Sequence, residues 1–590
     1  MRPLVVFLVL LGGCADRVDL QTVSLRLRAP ASGPCSPGAP TNDLVVEALG
    51  DFPASDERTI EVLGADGPGI IDRFPVGTRA LSVRAHAGGW EGFALFPRIG
   101  DADAEARLLL LPASTSCLVP DPALVDGDTA VALPDGSLVL AGGDDGEVGS
   151  RRLVHWHPGE AAATVADPGL QLRREGSVAV ATGERVFVLG GALGREGPAH
   201  DTYEIYDAET RALRSGLGTL GEPRRDAGAA RLSDGRILLV GGRAAGGGDP
   251  LASAEVLDDD TGASAPVGEL PVGRADPSVV VLDDGSVLVV GGTGAAGGHL
   301  RPLLAFDPRS GTFIELGLDA PAGLQAVAPL PGGRLALLAS SRPGELTLYR
   351  NAPPLLGPVP GLVEDTVAVA LPAFETATAV ALMDGTLLVS GATASGRQAF
   401  VVDPGTATVR EVPPPRALGR LIALADGTTA ALDAEGLALR RTTERSALDH
   451  PPASLLAEDL ALDGPERWRT EGAALVAQVD DARADLAGLR FADFALEVTA
   501  EGSVELLLQP EGAPATAVHV GASEAGPSLC TLAGAGPLTL VRRGEALALA
   551  RAGSQRTCRV DGLVGRVGLG FRARAGSRFE RIAARRLEAE

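Results

Sequence analysis

The stretch from Asp284 to Gly298 reads DGSVLVVGGTGAAGG and combines a turn, an apolar run and a glycine-rich segment. It contains the spacing G-x-G-x-x-G, which in dinucleotide-binding proteins opens a helix whose N-terminal amides hold a pyrophosphate. Here it is followed by HLRPLLAFDPRSGTF, whose two prolines and apolar run favour another strand over a helix. A cofactor loop occurs once in a chain, whereas a structural device recurs.

The pattern recurs seven times at a period near 50 residues. Each copy has an apolar run, a turn glycine and a second apolar run, and in the first four copies the second run ends in two glycines. Dipeptides such as D-G are strong hairpin signals, so each copy predicts two antiparallel strands. The turn glycines are Gly136, Gly183, Gly235, Gly285, Gly333, Gly385 and Gly427.

A third apolar run with its own turn follows each of the first six copies. A fourth strand follows that turn, as in GTFIELG after Asp307. Four antiparallel strands in each of seven repeats predict an all-β chain with a seven-bladed β-propeller, a ring with few exposed edges. Equivalent positions on the third strands are Trp156, Tyr206, Leu257, Phe306, Tyr349 and Val402.

These repeats resemble kelch repeats, whose signature is a strand ending in two glycines and an aromatic residue on the third strand. The resemblance covers residues 125–449 and implies a propeller of the galactose oxidase type. It also assigns the opening stretch to a strand, a glycine pair and a connection instead of a nucleotide loop. The signature is met at 142–143, 190–191, 241–242 and 291–292. Departures are Ala339–Ser340, Ser390–Gly391 and Leu432–Asp433, and the fourth-strand tryptophan is missing.

The N-terminus reads MRPLVVFLVLLGGCAD, with one positive charge, an apolar run too short to span a bilayer, and small residues before Cys14. It resembles the bacterial lipoprotein signal, because Leu11, Gly12, Gly13 and Cys14 match the lipobox. The resemblance implies a signal peptide within residues 1–14, lipidation of Cys14 and an outer-membrane lipoprotein of the cell envelope. The alternative is an ordinary secretory peptide.

Four further cysteines are present, and an even number in an exported chain predicts disulfides with three possible pairings. Two of them lie in each terminal region. We therefore predict the pairs Cys35–Cys117 and Cys530–Cys558.

The two terminal regions also show strand patterns. Residues 20–120 contain about six alternating or apolar runs and predict a small β-sandwich. Residues 455–590 resemble concanavalin A-like lectins and glucanases in strand pattern, which implies a jelly-roll-like sandwich. Glucanases of that superfamily carry E-x-D-x-x-E on one strand. The nearest stretch, Glu497 to Glu501, lacks the middle acid, so the resemblance favours binding over hydrolysis.

The sequence gives little support for nucleic-acid binding, copper chemistry or metal binding. The net charge of −24 argues against nucleic acid as a partner. Galactose oxidase-like copper chemistry needs a cysteine that the repeats lack. His155 and His157 share a strand face and could supply two metal ligands, but the alternative is two solvent-facing imidazoles beside a core tryptophan. Clusters such as LDDDTG are typical of turns. We predict no metal and no cofactor.

Arginines precede the first strand of several repeats, and the last of these segments carries both Arg416 and Arg420. The kelch resemblance implies that this connection lies at one mouth of a central channel. Converging guanidinium groups there would suit a carboxylate or an acidic loop. The alternative is pairing with neighbours such as Glu175, Asp226 and Asp276. The predicted ligand-binding residues are Arg174, Arg225, Arg274 and Arg416.

We predict a lipid-anchored, extracytoplasmic binding or scaffold protein that is not an enzyme. Its expected partners are the membrane, through the anchor, and a glycan, an acidic peptide or an envelope protein. The alternative is a carbohydrate-active enzyme whose C-terminal sandwich serves as a carbohydrate-binding module. A convergent acid, base or nucleophile would distinguish the two, and the sequence shows none.

Overall fold

The described part of the chain, in this computed structural model, consists of strands and connections without an α-helix. None of its segments forms a helix with the length and apolar character needed to cross a bilayer. Cys14, Arg416 and Cys530 lie outside the described residues. The described residues are 20–28, 35, 43–50, 59–63, 69–75, 78–85, 90–95, 105–112, 116–119, 121–124, 129–143, 149–158, 160, 162–282, 286–330, 333–352, 361–382, 385–414, 420–424, 427–433, 436–441, 453–455, 461–462, 467–471, 474–491, 494–501, 504–510, 516–519, 538–543, 546–551, 554–559 and 567–586.

The sequence predicts about six strands in the N-terminal region, and the described residues there form eight, in two sheets. One is a mixed sheet that consists, in order, of Gly69–Pro75, Leu20–Arg28 and Glu105–Leu109. Its central strand pairs antiparallel with Gly69–Pro75 and parallel with Glu105–Leu109. The other is antiparallel and consists of Thr59–Leu63, Asp43–Gly50, Thr78–Ala85, Trp90–Leu95 and Leu111–Pro112.

Seven antiparallel sheets follow, and the first six have their four main strands in chain order. The first consists of Thr129–Ala132, Leu138–Ala141, Leu153–Trp156 and Thr164–Val165. The second consists of Glu175–Thr182, Arg185–Ala192, Thr202–Asp207 and Ala212–Leu213. A short fifth strand, Gly218–Thr219, also pairs with Thr202–Asp207. The third consists of Gly228–Arg231, Ile237–Val240, Ala254–Leu257 and Ser264–Pro266. The fourth consists of Ser278–Val281, Val287–Val290, Pro302–Asp307 and Thr312–Asp319.

The remaining three sheets repeat this plan. The fifth consists of Leu324–Leu330, Arg334–Ala339, Glu345–Ala352 and Gly361–Ala368. The sixth consists of Thr376–Ala381, Leu387–Thr393, Gly396–Asp403 and Thr408–Val412. The seventh consists of Arg420–Ala423, Thr428–Asp433, Gly436–Arg441 and, as its outer strand, Ser116–Val119.

The local turn chemistry is as the sequence predicts. A glycine with positive φ stands between the first and second strands of every sheet whose turn glycine is described, and Gly285 is the one outside the described residues. The six equivalent third-strand residues are all buried. The opening stretch forms the strand Val287–Val290 and continues through a glycine pair into irregular chain, so it has no helix to open.

Neighbouring sheets pack through their first strands. The first strand of each sheet contacts the first strand of the next, and the first strand of the seventh contacts that of the first. A separate apolar core lies between each adjacent pair of sheets, including the seventh and the first. On one strand Leu138 and Leu140 enter one core while Val139 and Ala141 enter the other, as the period of two requires. The arrangement is compatible with a β-propeller.

The seventh sheet departs from the predicted boundary at residue 125. Its outer strand, Ser116–Val119, comes from the segment assigned to the N-terminal region and pairs with Gly436–Arg441, more than 300 residues later. Cys117 on this strand is bonded to Cys35, which confirms that predicted disulfide. Both cysteines lie in the core between the seventh and first sheets.

The glycine pairs have a packing role as well as a conformational one. Gly190 and Gly191 have φ of 61° and 85°, which L-residues with a side chain rarely adopt. A Cβ at Gly190 would collide with the main-chain carbonyl of Arg224 in the next sheet, and the Gly191 amide donates to that carbonyl at 2.8 Å. Gly241 and Gly242 meet the Arg274 carbonyl in the same way. The glycines therefore allow adjacent sheets to approach closely.

The C-terminal region contains two more antiparallel sheets. The larger consists of Trp468–Glu471, Ala474–Ala477, Arg578–Arg586, Phe494–Glu501, Leu538–Arg543, Ala546–Arg551 and Ser554–Arg559, with Ala453–Leu455 also paired to Arg578–Arg586. The smaller consists of Ala461–Leu462, Ala482–Phe491, Val567–Ala573, Val504–Pro510 and Thr516–His519. Cys558 lies on one of these strands, and its predicted partner Cys530 is outside the described residues, so this disulfide stays a prediction.

Candidate functional site

The connections that enter the first strands of the second, third and fourth sheets are linked main chain to main chain. The Asp276 amide donates to the Asp226 carbonyl at 2.7 Å, and the Asp226 amide donates to the Gly176 carbonyl at 2.8 Å. All three residues have positive φ, of 58°, 52° and 67°. Aspartate tolerates this conformation better than most side chains. The linkage places two aspartates side by side where the first strands begin.

Charged residues from several sheets gather at this point, and we call them the charged rim: Glu175, Arg225, Asp226, Arg243, Asp276 and Arg420. Arg225 connects two of the sheets, because its Nε donates to Asp226 Oδ2 at 3.0 Å and its Nη2 lies 3.5 Å from Glu175 Oε1. Its Nη1 donates to the Gly194 carbonyl at 3.0 Å. Arg225 is therefore held in one position by both sheets.

Asp276 differs from the other carboxylates of the rim. Crowding by protein atoms raises its pKa, although the residue keeps an exposed surface, and the like charge of Asp226 raises it further. Arg243, Arg225 and Arg420 act in the opposite direction. Within the described residues no ion pair shorter than 4.0 Å involves the Asp276 carboxylate. Arg420 begins the first strand of the seventh sheet, so the rim draws on the second, third, fourth and seventh sheets.

The rim has no net charge, since it contains three guanidinium groups and three carboxylates. This differs from the expected positive site on an acidic protein. Neighbouring opposite charges largely cancel each other's field at a distance, so we do not expect the rim to attract an anion from far away.

Two of the four predicted ligand-binding arginines point into the sheets. Arg174 is 0% exposed, its Nε donates to Glu204 Oε1 at 2.9 Å, and its Nη1 donates to the carbonyls of Gly190 and Thr202. Burial lowers the pKa of Arg174, and Glu204 only partly offsets that effect. Arg174 therefore stabilises the second sheet and is not a ligand-binding residue of the rim, which corrects the sequence-based prediction.

The structural equivalent of Arg174 in the third sheet is Arg224, not the predicted Arg225. Arg224 Nε donates to Glu255 Oε1 at 2.7 Å, and its Nη1 donates to the carbonyls of Gly241 and Ser253 at 2.9 and 3.0 Å. A regular spacing was available in the sequence, because Arg174, Arg224 and Arg274 are 50 residues apart. These contacts make Arg224 a buried structural residue, whereas its neighbour Arg225 lies at the rim.

Arg274 is also buried, with 2% of its surface exposed, and donates to the carbonyls of Gly291 and Pro302 at 2.9 and 2.8 Å. It therefore does not reach the rim either. Arg416 lies outside the described residues. Of the four predicted residues Arg225 alone, among those described, belongs to the rim. It is joined there by Arg420, which the sequence pattern places beside Arg416 before a first strand, and by Arg243, which the pattern does not single out.

His155 is buried and His157 is partly exposed, so the interpretation of two solvent-facing imidazoles is wrong for His155. His155 is 3% exposed, with Nδ1 3.0 Å from the Tyr206 hydroxyl and Nε2 3.1 Å from Ser137 Oγ. Ser137 donates to Asp135 at 2.5 Å, so its oxygen accepts from His155 Nε2 and Tyr206 donates to Nδ1. Burial lowers the pKa of His155 to about 4, which keeps the ring neutral. The ring therefore joins the first and second sheets.

Metal-binding geometry is not assembled in the part of the chain that the structure describes. No group of three histidine, cysteine, aspartate or glutamate residues there could hold an ion. Asp258 of the LDDDTG segment accepts from the Thr261 amide and hydroxyl at 2.7 and 2.8 Å, which confirms the turn interpretation. Asp207, Asp307 and Asp403 make similar bonds after their own third strands.

Comparison with known proteins adds little to this geometry. No family description matches the sequence. No curated protein matches it either. The solved structure of YjhT is similar to part of the chain, with 14% identity and a TM-score of 0.32 over 45% of this chain and 93% of that one.

Proposed function

We propose that the seven sheets are the blades of a closed, kelch-like β-propeller. The proposal is supported by the succession of contacts between first strands, which returns from the seventh sheet to the first. It is also supported by the apolar core between every adjacent pair of sheets. In this arrangement the outer strand Ser116–Val119 closes the ring, because it supplies the fourth strand that the seventh repeat lacks. The terminal pairs of sheets are two flanking β-sandwiches.

We propose further that the protein is anchored through Cys14 in the outer membrane and acts as a binding protein of the cell envelope. The lipobox-like residues Leu11 to Cys14 support the anchor. The buried disulfide Cys35–Cys117 fits an oxidising compartment, since disulfides persist outside the cytoplasm.

The ligand site in this proposal is the charged rim, and its ligand is a hydroxyl-rich glycan. Carboxylates only accept hydrogen bonds and guanidinium groups only donate them, whereas each sugar hydroxyl does both. Neighbouring hydroxyls can therefore bind between Asp276 and the arginines opposite it. The observation that carries this proposal is the balanced set of acids and arginines drawn from four sheets.

An acidic peptide is a poorer fit. Its carboxylates would meet Asp226 and Asp276 at the same place as the arginines, and like charges at close range repel. Arg225 already commits its Nε and Nη donors to Asp226, Glu175 and the Gly194 carbonyl. A neutral ligand avoids this repulsion.

The test is a glycan array with the mature chain carrying Cys14→Ser, followed by calorimetry with any neutral glycan that binds. We expect Asp276→Asn and Arg243→Gln each to weaken binding about tenfold or more, as for loss of a hydrogen bond to a charged group. Asp234→Asn is the matched control, because Asp234 lies at the hairpin at the other end of the first strand. Unchanged affinity in both rim variants would exclude the rim as the site.

A second candidate function is a carbohydrate-active enzyme, and the raised pKa of Asp276 favours it. A raised pKa makes a carboxyl group a better candidate for a general acid. Release of reducing ends from a bound glycan by the wild type but not by Asp276→Asn would establish it. Binding without turnover would leave the binding function alone.

A further inference from the structure

Three arginines occupy equivalent positions in the second, third and fourth sheets, and they differ in whether a carboxylate accepts from Nε. Arg174 and Arg224 each have a glutamate on the third strand of their own sheet that accepts from Nε. The Nε of Arg274 has no hydrogen-bond acceptor among the described residues. Each of the three side chains also donates to the carbonyl of the first glycine of its glycine pair and to a carbonyl at the start of the third strand. Arg174 and Arg224 donate in addition to the hydroxyls of Thr202 and Ser253, where the fourth sheet has Pro302.

Strand pairing identifies what replaces the glutamate. Tyr206, Leu257 and Phe306 are equivalent because each pairs with the start of the second strand. Two residues before them stand Glu204, Glu255 and Leu304 respectively. Leu304 is fully buried, and it has no side-chain atom that can accept a hydrogen bond.

A second change accompanies the first. In the third sheet the Gly221 amide donates to Glu255 at 2.6 Å. Three residues before Arg274, the corresponding position is Pro271, which has no amide hydrogen to donate. The fourth sheet has therefore lost the glutamate and one of its donors together, and has retained the arginine.

The charge of Arg274 is left poorly compensated. Burial lowers its pKa, and the carboxylate that opposes this effect belongs to Glu315. Glu315 pairs across the strands with Leu304 but is exposed to solvent, and it forms no ion pair with Arg274 within 4.0 Å. A guanidinium group that is removed from water and unpaired is strongly disfavoured, so a counter-ion close to Nε would lower the free energy of the folded state.

We propose that the Nε of Arg274 binds a small monovalent anion, chloride in ordinary salt solution, which takes the role that a glutamate carboxylate has in the second and third sheets. The anion must be small, because both the Arg274 side chain and Leu304, which stands at the glutamate position, are buried. It must be monovalent, because one guanidinium supplies the charge. This site is independent of the charged rim and of the proposed function.

The experiment compares thermal unfolding of the mature chain in sodium chloride or bromide and in sodium gluconate at equal ionic strength. We expect a saturable rise in Tm of about 2 to 4 °C with the halides for the wild type, as for a ligand that binds only the folded state. Leu304→Glu supplies the missing carboxylate, so this variant should lose the halide response and be as stable in gluconate as in chloride. Leu304→Met, which is neutral, of similar size and without an oxygen that could accept from Arg274 Nε, should keep the response.

A direct measurement covers the case in which the Leu304 variants do not fold. Crystals of the wild type grown in bromide should show an anomalous difference peak within hydrogen-bonding reach of Arg274 Nε, and none at Arg174 or Arg224, whose Nε groups bind glutamate. Absence of the peak at Arg274 would overturn the proposal. Equal Tm values in halide and gluconate, or a halide response that persists in Leu304→Glu, would overturn it equally.

Discussion

Cys117, on the outer strand of the seventh sheet, is covalently bonded to Cys35, which lies 82 residues earlier in the chain, with 5.2 Å between their Cα atoms. The bond attaches the N-terminal region to the one strand of the seven sheets that is out of chain order. Retention of that strand therefore depends on strand pairing, on the core between the seventh and first sheets, and on the disulfide.

Replacing both cysteines by alanine is expected to destabilise the protein by about 4 kcal/mol, from the loop-closure entropy of an 82-residue cross-link. Because the lost constraint acts on Ser116–Val119, its amides and those of Gly436–Arg441 should exchange hydrogen faster than amides of the third sheet. Denaturant unfolding and hydrogen exchange measure the two effects. Uniform exchange across all sheets would contradict the role of the disulfide in holding this strand.

Gly190→Ala is expected to cost at least about 3 kcal/mol, because it combines a positive φ with a collision against the Arg224 carbonyl. Gly183→Ala is the matched control. Gly183 has a φ of 60° but open space around a Cβ, so it should lose only about 1 kcal/mol. Urea unfolding compares them, and equal losses would show that sheet-to-sheet packing at Gly190 contributes nothing.

Arg224→Met is expected to destabilise the protein by about 3 to 5 kcal/mol, because it leaves Glu255 buried without its partner. The double variant Arg224→Met/Glu255→Leu should recover a large part of that loss, since both charges are then removed. Arg236→Met, which breaks an exposed pair with Asp234, should change stability by about 0.5 kcal/mol or less. If the double variant is no more stable than the single one, the loss in Arg224→Met does not come from an unpaired Glu255 carboxylate.

Stability is expected to decrease as pH falls from 6.5 to 4 through His155. Its pKa is about 4 in the folded protein and 6.5 in the unfolded chain, so the unfolded state binds the proton first. The stabilisation from neutral His155 is fully present above pH 6.5. The loss of stability amounts to about 3 kcal/mol once the pH has fallen to 4. Urea unfolding at several pH values should give a shallower dependence for His155→Gln than for the wild type. Identical pH dependence would place the sensitive group elsewhere.

Cys14→Ser is expected to move the protein from the membrane pellet to the soluble fraction, because the lipidated thiol is lost. Fractionation of cells that express wild type and variant at equal levels measures this. Cys558→Ser serves as the control for general effects of a cysteine substitution. Retention of the variant in the pellet to the wild-type extent would refute the lipoprotein assignment.

The sequence by itself determined the hairpins and their period. Turn glycines such as Gly136 and Gly235 adopt positive φ as predicted, and third-strand residues such as Trp156 and Tyr349 are buried. These features depend on backbone sterics and on the alternation of apolar side chains over a few residues, so a local pattern is sufficient to reveal them. The pair Cys35–Cys117 was also within reach, because only three pairings were available.

Only the tertiary structure decided which arginine is buried in a sheet and which lies at the charged rim. Arg224 and Arg225 are adjacent, and both look like the residue that precedes a strand. Glu255, 31 residues from Arg224 along the chain, pairs with Arg224 inside the third sheet, while Glu175 of the second sheet and Asp226 hold Arg225 at the rim. The same limit applies to Val119, which pairs with Leu437. Such partners are chosen by packing and electrostatics across sheets, and nothing in the few residues around an arginine or a short strand specifies a partner that is distant in the chain.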